Sequence, residues 1–232
     1  MLRPQHRAYL AAFLMDAAVM VVFATTPFFV FNQIGGDEAM AGMVGALQMA
    51  AYAFSCLATS RLVAQTQHGL RWALLGAFLF ILFSCLMPLY PSMLTCAVLS
   101  FLAFSALGLV WPALLSWIGG EPSAALRAKH MSYFTIAAGC GFALSPLLGG
   151  PLYDSDYRLP FVALFALGVA ILALIGTLPN EKDHFATANR DEDEEEAPST
   201  PNHHHGTNLL VAWCALFVAN ILVGATRSVY PK

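Results

Sequence analysis

Residues 141–154 read GFALSPLLGGPLYD, a stretch in which glycine, alanine, serine and proline are mixed with leucine. It overlaps residues 131–153, which contain no Asp, Glu, Lys or Arg. Small side chains let two membrane helices approach backbone to backbone, and Pro146 frees a backbone carbonyl that a neighbouring helix can satisfy. The stretch therefore predicts a helix that crosses a membrane, is kinked at Pro146 and packs closely against another helix.

The rest of the chain is also poor in charge. Of its 232 residues, 58% are apolar and 11% are charged, whereas a soluble domain carries about 25% charged residues. Residues 72–120 and 159–180 contain no charged side chain, and residues 8–36 contain one, Asp16. Apolar stretches of this length are typical of transmembrane helices. The composition excludes a disordered protein and a nucleic-acid-binding protein, and it argues against a soluble enzyme.

We expect an all-α membrane protein with seven transmembrane helices. The first six cover about residues 8–31, 39–63, 70–90, 92–118, 130–153 and 159–178, and the seventh begins near residue 208. Residues 181–207 are polar and acidic, as a linker is. Residues 1–90 and 91–180 have similar helix spacing, which predicts two three-helix repeats within a six-helix domain, residues 1–180. Residues 208–232 would begin a second domain.

The basic residues of the short loops predict how the helices are oriented, because cytoplasmic loops carry an excess of Lys and Arg. One basic residue, Arg158, falls on one side of the predicted bundle. Six fall on the other side: Arg3, Arg7, Arg61, Arg71, Arg127 and Lys129. We therefore expect a multi-pass protein of the plasma (inner) membrane whose N-terminus and acidic linker are cytoplasmic.

No residue pattern indicates a cofactor or a bound metal. The five cysteines lie inside apolar stretches without CxxC spacing, so we interpret them as packing or lipid-facing residues. The linker contains the triplet His203, His204 and His205, which could bind a transition metal but which we interpret as unspecific. The sequence shows no Walker loop, GxGxxG motif or catalytic triad, so we expect neither ATP-driven transport nor an enzyme.

The quoted stretch resembles the fifth-helix motif of the major facilitator superfamily, G-x-x-x-G-P-x-x-G-G. Gly141, Pro146, Gly149 and Gly150 match this helix-packing motif, and Ser145 stands where the family usually has Gly. The resemblance implies a bundle of 3+3 inverted repeats, two such bundles forming one transporter. We expect Gly149 and Gly150 to form a close helix contact against the second helix.

Two other stretches resemble the same superfamily less closely. In the fourth helix, Ser100 stands in place of an intramembrane Arg that the family often uses in proton coupling. In the loop after the second helix, the family's G-x-L-x-D-R-x-G-R-R pattern has lost its Asp. The resemblance implies a cytoplasmic gate at these loops, formed here by Arg61, Gly69, Arg71 and Arg127.

Asp16 is the one acid deep inside a predicted helix. A charge at the bilayer centre costs about 2.5–3.5 kcal/mol on insertion scales, so we hypothesise that Asp16 carries protons or contacts a cationic substrate. The alternative is a structural bond to a neighbouring helix. Gln48 and Tyr52 share a helix face and either line the pathway or pack between helices. Ser100 and Tyr133 complete the candidates for a substrate or proton pathway.

These observations predict a secondary active transporter of a small solute that works by alternating access in a lipid bilayer. The alternative is a membrane scaffold or receptor-like relative without transport, which Ser100 and the altered loop motif favour. A single helix after the linker cannot form a second bundle. We therefore also expect a truncated transporter, inactive as a monomer, whose missing second half would cover a face near Asp16, Gln48 and Tyr52.

Overall fold

The computed structural model describes residues 3–65 and 68–179, without the side chains of residues 61, 64, 65 and 146–148. Within these residues the chain forms long helices and no strand. The helices are α1 (Pro4–Phe29), α2 (Glu38–Gln65), α3 (Gly69–Leu86), α4 (Met93–Gly119), α5 (Ala124–Ser155) and α6 (Leu159–Gly176). All six are long and apolar enough to cross a membrane, which confirms the all-α prediction. The expected linker and seventh helix lie outside the described residues.

The helices begin and end where the local sequence favours it. Asp37, Ser92 and Ser123 precede α2, α4 and α5, and each side chain accepts a hydrogen bond from the backbone N–H three residues later, as N-cap residues do. Helix α1 continues into one π-helical turn, Val30–Ile34. Gly35 ends this turn with φ of 73°, a left-handed conformation that suits glycine.

Most of the packing joins helices that are not neighbours in the chain. Helix α4 packs along α2 and α3, helix α1 packs along α5 and α6, and α3 also packs on α6. The contacts are symmetric if α1 is taken to correspond to α4, α2 to α5 and α3 to α6. The α1–α5 contact then corresponds to the α4–α2 contact, and the α1–α6 contact to the α4–α3 contact. Helices α1 and α4 hold many of the buried side chains, among them Met15, Phe29, Phe104 and Trp117.

Glycines mark the closest approach in both of these corresponding contacts. A Cβ atom at Gly141 of α5 would collide with the backbone carbonyl oxygen of Phe13 on α1. A Cβ atom at Gly108 of α4 would lie 2.7 Å from the backbone carbonyl carbon of Ser55 on α2. Any larger side chain would separate the helices, which is why small residues occupy such positions in membrane proteins.

The expected close contact of Gly149 and Gly150 against the second helix is wrong. A Cβ atom at Gly149 would lie 3.8 Å from the Thr25 side chain on α1, an ordinary van der Waals distance, and one at Gly150 would meet no described atom within 4 Å. The tight point of the motif is instead Gly141, because α5 packs along α1 and has its closest approach eight residues before Gly149. The backbone of α5 stays helical through Pro146.

Candidate functional site

A cluster of neutral polar side chains joins α1, α2 and α4 inside the bundle. Gln48 is fully buried, and its Nε2 donates to Thr26 Oγ1 at 3.2 Å and to Ser100 Oγ at 3.3 Å. Ser100 is equally buried and donates to the sulfur of Met87 at 3.8 Å. The structure thus brings Gln48 and Ser100 together, in the interhelical arrangement that was one of the two alternatives for Gln48.

One atom of this cluster lacks a partner. The amide oxygen of Gln48 is buried and accepts no hydrogen bond from the described residues, whereas Thr26 both accepts from Gln48 and donates to the Val22 backbone carbonyl at 2.7 Å. A buried acceptor without a donor costs about 1–3 kcal/mol. The hydrogen bonds of the cluster therefore use the amide N–H groups of Gln48, and its amide oxygen is left without a hydrogen bond from the described residues.

Asp16 and Tyr52 form a second polar group. Both side chains are partly exposed, and the Asp16 carboxylate is close enough to Tyr52 for a Coulomb interaction. Cys56 lies one turn further along α2 and is close enough to Tyr52 for an electrostatic interaction. In the described part of the chain, no basic side chain lies near enough to Asp16 to neutralise it. Among the described side chains, Asp16 is thus a carboxylate without a basic partner, within a membrane-spanning helix.

The two polar groups lie at different depths and differ in chemistry. Thr26 follows Asp16 by ten residues on α1, which is about 15 Å at the helical rise of 1.5 Å per residue. The cluster around Gln48 can only exchange hydrogen bonds, whereas Asp16 can bind a proton or pair with a cation. Within residues 3–65 and 68–179, no group of three or more His, Cys, Asp or Glu side chains could hold a metal ion.

Tyr133 belongs to a third group, at the end of the bundle where α1 and α5 begin. It is half exposed, and its ring centroid lies 6.0 Å from that of Tyr9. The Tyr9 hydroxyl hydrogen-bonds with His130 Nδ1, and the Tyr9 ring packs edge-on against His6 at 6.0 Å. Tyr133 therefore lies apart from Asp16, Gln48, Tyr52 and Ser100, the other candidates for the pathway.

The residues expected at a cytoplasmic gate lie at this same end. Gly69 is buried at the start of α3, whereas Arg71 and Arg127 are exposed. The side chain of Arg61 lies outside the described residues. Arg7 donates from Nη1 to the backbone carbonyl of Thr177 after α6. This bond ties the start of α1 to the end of α6, where a cation also interacts favourably with the helix dipole.

Ser145, the departure from the family motif, has a defined partner. Its hydroxyl donates to the backbone carbonyl oxygen of Ala17 on α1 at 2.7 Å, and the side chain is 1% exposed. A glycine at this position could not make that bond. The structure therefore assigns the substitution a contact across the α1–α5 interface.

Sequence reasoning missed Thr26, Tyr9 and His130. Hydroxyls in helices commonly bond to their own backbone, as Thr25 does to Val21, so a lone threonine in an apolar helix does not reveal a second partner. The available signal was Gln48, because an amide within a membrane span needs partners on neighbouring helices.

Comparisons with known proteins agree with this architecture. The profile of the Major Facilitator Superfamily matches residues 8–231. A crystal structure of the peptide transporter POT, a glutamate-to-glutamine mutant in complex with sulfate, is similar with a TM-score of 0.68 and 18% sequence identity, over 94% of this chain and 45% of that chain. This chain therefore spans less than half of the peptide transporter's length, and at such identity the likeness concerns the fold. No curated protein matches the sequence.

Proposed function

Because this chain belongs to the major facilitator superfamily, we propose that it moves a small solute across a membrane as a secondary active transporter working by alternating access. The observation that carries the proposal is Asp16, a partly exposed carboxylate without a basic partner among the described residues of a membrane span. Such a charge costs about 2.5–3.5 kcal/mol on insertion scales. A proton or a cationic group of the solute would offset that cost.

Asp16 and Tyr52 are the proposed contact for the solute or the proton. Both are partly exposed, and the Asp16 carboxylate on α1 lies within electrostatic range of Tyr52 on α2. Gln48 and Ser100 are fully buried, so their proposed role is to hold α1, α2 and α4 together beside the pathway. Tyr133 and its aromatic neighbours would act at the cytoplasmic mouth, together with the loop gate of Arg61, Gly69, Arg71 and Arg127.

The proposed domain is a pair of three-helix repeats, residues 1–90 and 91–180. Support comes from the helix contacts, which are unchanged when α1–α3 are exchanged for α4–α6. The close approaches at Gly141 and Gly108 fall in corresponding helix pairs. This exchange symmetry is what two similar repeats produce.

The proposed partner is a second helical bundle, against which α2 and α5 would pack. The exposed face of α2 carries Gly42, Ala46 and Ala50, and that of α5 carries Gly139 and Ala143. Small residues are favoured where membrane helices meet. These faces also carry bulky apolar side chains, among them Phe54 and Leu57 of α2 and Ile136 of α5, which a partner bundle would bury.

The proposed setting is the plasma (inner) membrane with the N-terminus in the cytoplasm. Tyr9 of α1 bonds to His130 of α5, and Arg7 bonds to Thr177 after α6, whereas the end of α3 bonds to the start of α6. The start of α1 therefore shares an end of the bundle with Arg71 and Arg127, at the starts of α3 and α5. A concentration of basic residues at one end marks the cytoplasmic side.

The function is tested by comparing solute levels in cells that express the chain together with the second bundle proposed above, as wild type, Asp16→Asn or Asp37→Asn. Asp37→Asn is the matched control, because Asp37 caps α2 at an exposed position and Asn caps a helix equally well. Untargeted mass spectrometry should find a solute whose uptake or efflux persists in the control and falls about tenfold in Asp16→Asn, the equivalent of about 1.4 kcal/mol.

Two results would contradict the proposal. Equal transport by Asp16→Asn and the control would exclude Asp16 from the pathway. A profile without any solute that depends on the wild-type protein would instead support the non-transporting scaffold.

A further inference from the structure

One turn of α1 is held by α5 at both of its ends. At Phe13 the two helices touch backbone to backbone, because a Cβ atom at Gly141 would collide with the Phe13 carbonyl oxygen. One turn further along both helices, Ser145 Oγ donates to the carbonyl oxygen of Ala17 at 2.7 Å. Asp16 lies between these two contacts.

The direction of the Ser145 hydrogen bond is not the usual one. Hydroxyls in helices commonly donate to the carbonyl four residues earlier in the same helix, as Thr25, Ser132 and Thr135 do here. For Ser145 that acceptor would belong to Gly141, yet the hydroxyl donates to Ala17 on α1. Because the side chain is 1% exposed, neither water nor lipid competes for this bond.

These contacts constrain Asp16 without touching its side chain. Phe13 and Ala17 are one turn apart and share a face of α1, whereas Asp16 is rotated by about 100° from Ala17. The Asp16 carboxylate is partly exposed and lies within electrostatic range of Tyr52 on α2. A contact that fixes α1 both along its axis and in rotation therefore sets the place of the carboxylate relative to Tyr52.

We propose that Ser145 is a positioning residue for Asp16, holding the carboxylate in place through its hydrogen bond to Ala17. The inference rests on the proposed role of Asp16 in transport. The family motif usually has glycine at this position, which would allow the close approach of α1 and α5 but not the hydrogen bond. In this chain the position of the carboxylate thus depends on a bond that the usual motif lacks.

The test follows the chemical reactivity of Asp16, so it requires no knowledge of the solute. Dicyclohexylcarbodiimide is an apolar reagent that modifies carboxyl groups within membranes, and mass spectrometry of the peptide containing residue 16 gives the modification rate. Ser145→Ala removes the hydroxyl, and Ser145→Gly provides a second variant without it. The full chain is used in its membrane throughout, and Asp16→Asn identifies the signal.

Thr59→Val is the matched control. The Thr59 hydroxyl lies within hydrogen-bond distance of the Gly108 carbonyl on α4 and of the Ser55 carbonyl of its own helix, so the variant removes a hydroxyl contact from the corresponding α4–α2 interface. A general loosening of the bundle would affect both interfaces, whereas a positioning role belongs to Ser145 alone.

We expect Ser145→Ala and Ser145→Gly to change the modification rate of Asp16 about fivefold, the population shift produced by losing one hydrogen bond of about 1 kcal/mol. Thr59→Val should keep the wild-type rate. An unchanged rate in both Ser145 variants, or an equal change in Thr59→Val, would overturn the proposal. The modification rate is independent of transport, so this failure would be distinct from a failure of Asp16→Asn to reduce transport.

Discussion

At the scale of single residues, the described part of the bundle holds the carboxyl group of Asp16 and several neutral hydrogen-bonding groups between its helices. Asp16 is partly exposed beside Tyr52, whereas Gln48 and Ser100 are fully buried and bonded to each other. In the part of the chain described, the polar side chains of α4 include no counterpart for the intramembrane Arg that the family often has.

Restoring the family's residue at this point should be strongly unfavourable. Ser100 fills a closed position between Gln48 and Met87, so Ser100→Arg would bury a charge without a carboxylate partner among them. We expect the variant to lower the free energy of unfolding by at least about 2.5–3.5 kcal/mol. Ser100→Ala, which removes only hydrogen bonds, should cost about 1 kcal/mol.

Thermal unfolding of the purified variants in detergent measures both effects. Wild-type stability in Ser100→Arg would mean that the position opens readily to water, contrary to the packing seen around Gln48.

At the scale of helices, the close approaches at Gly141 and Gly108 determine which helices pair. We expect Gly141→Ala to destabilise the protein, because the new methyl group would collide with the Phe13 carbonyl oxygen, and overpacking of this kind costs about 1–3 kcal/mol. Gly150→Ala should be neutral, since no described atom lies within 4 Å of the added carbon. The melting temperatures of the two variants measure this difference. Equal destabilisation by both would show that the helix pairing is different.

The bounds of the helices could be predicted from sequence, but their pairing could not. A long uncharged segment in lipid forms a helix, because a helix makes its backbone hydrogen bonds within itself. The observed bounds therefore lie within a few residues of the expected ones, apart from an earlier start of α5. Small residues occur on several faces of α5, however, and the sequence does not show which of Gly141, Gly149 and Gly150 contacts another helix. Only the path of α1 distinguishes Gly141 from the other two.

Only part of the candidate site could be predicted from the sequence. Asp16 and Gln48 could be identified because polar groups within apolar helices are costly. Thr26 could not, because its hydroxyl is also satisfied by the Val22 carbonyl of its own helix. Tyr9 and His130 lie 121 residues apart in sequence, and no local pattern joins them.

At the scale of the molecule, the orientation in the membrane can be tested with single cysteines in a cysteine-free background. Asp37→Cys lies at the end of the bundle opposite to Ala125→Cys, and both positions are exposed. A membrane-impermeant maleimide should label Asp37→Cys from outside the cell and Ala125→Cys only after the membrane is opened. The reverse pattern would invert the proposed topology, and labelling of both from one side would contradict the six-helix arrangement.

The most direct test of the account is whether one position in the pathway is reached from both sides of the membrane. Tyr52→Cys replaces a partly exposed residue that interacts with Asp16, and Ala170→Cys on the exposed face of α6 is the control that should face lipid. Both variants are made in a cysteine-free background together with the second bundle proposed above, and charged, membrane-impermeant thiol reagents are applied to oriented vesicles from each side in turn. Alternating access predicts that Tyr52→Cys reacts from both sides and Ala170→Cys from neither. Reaction of Tyr52→Cys from one side only, or from neither side, would contradict the account.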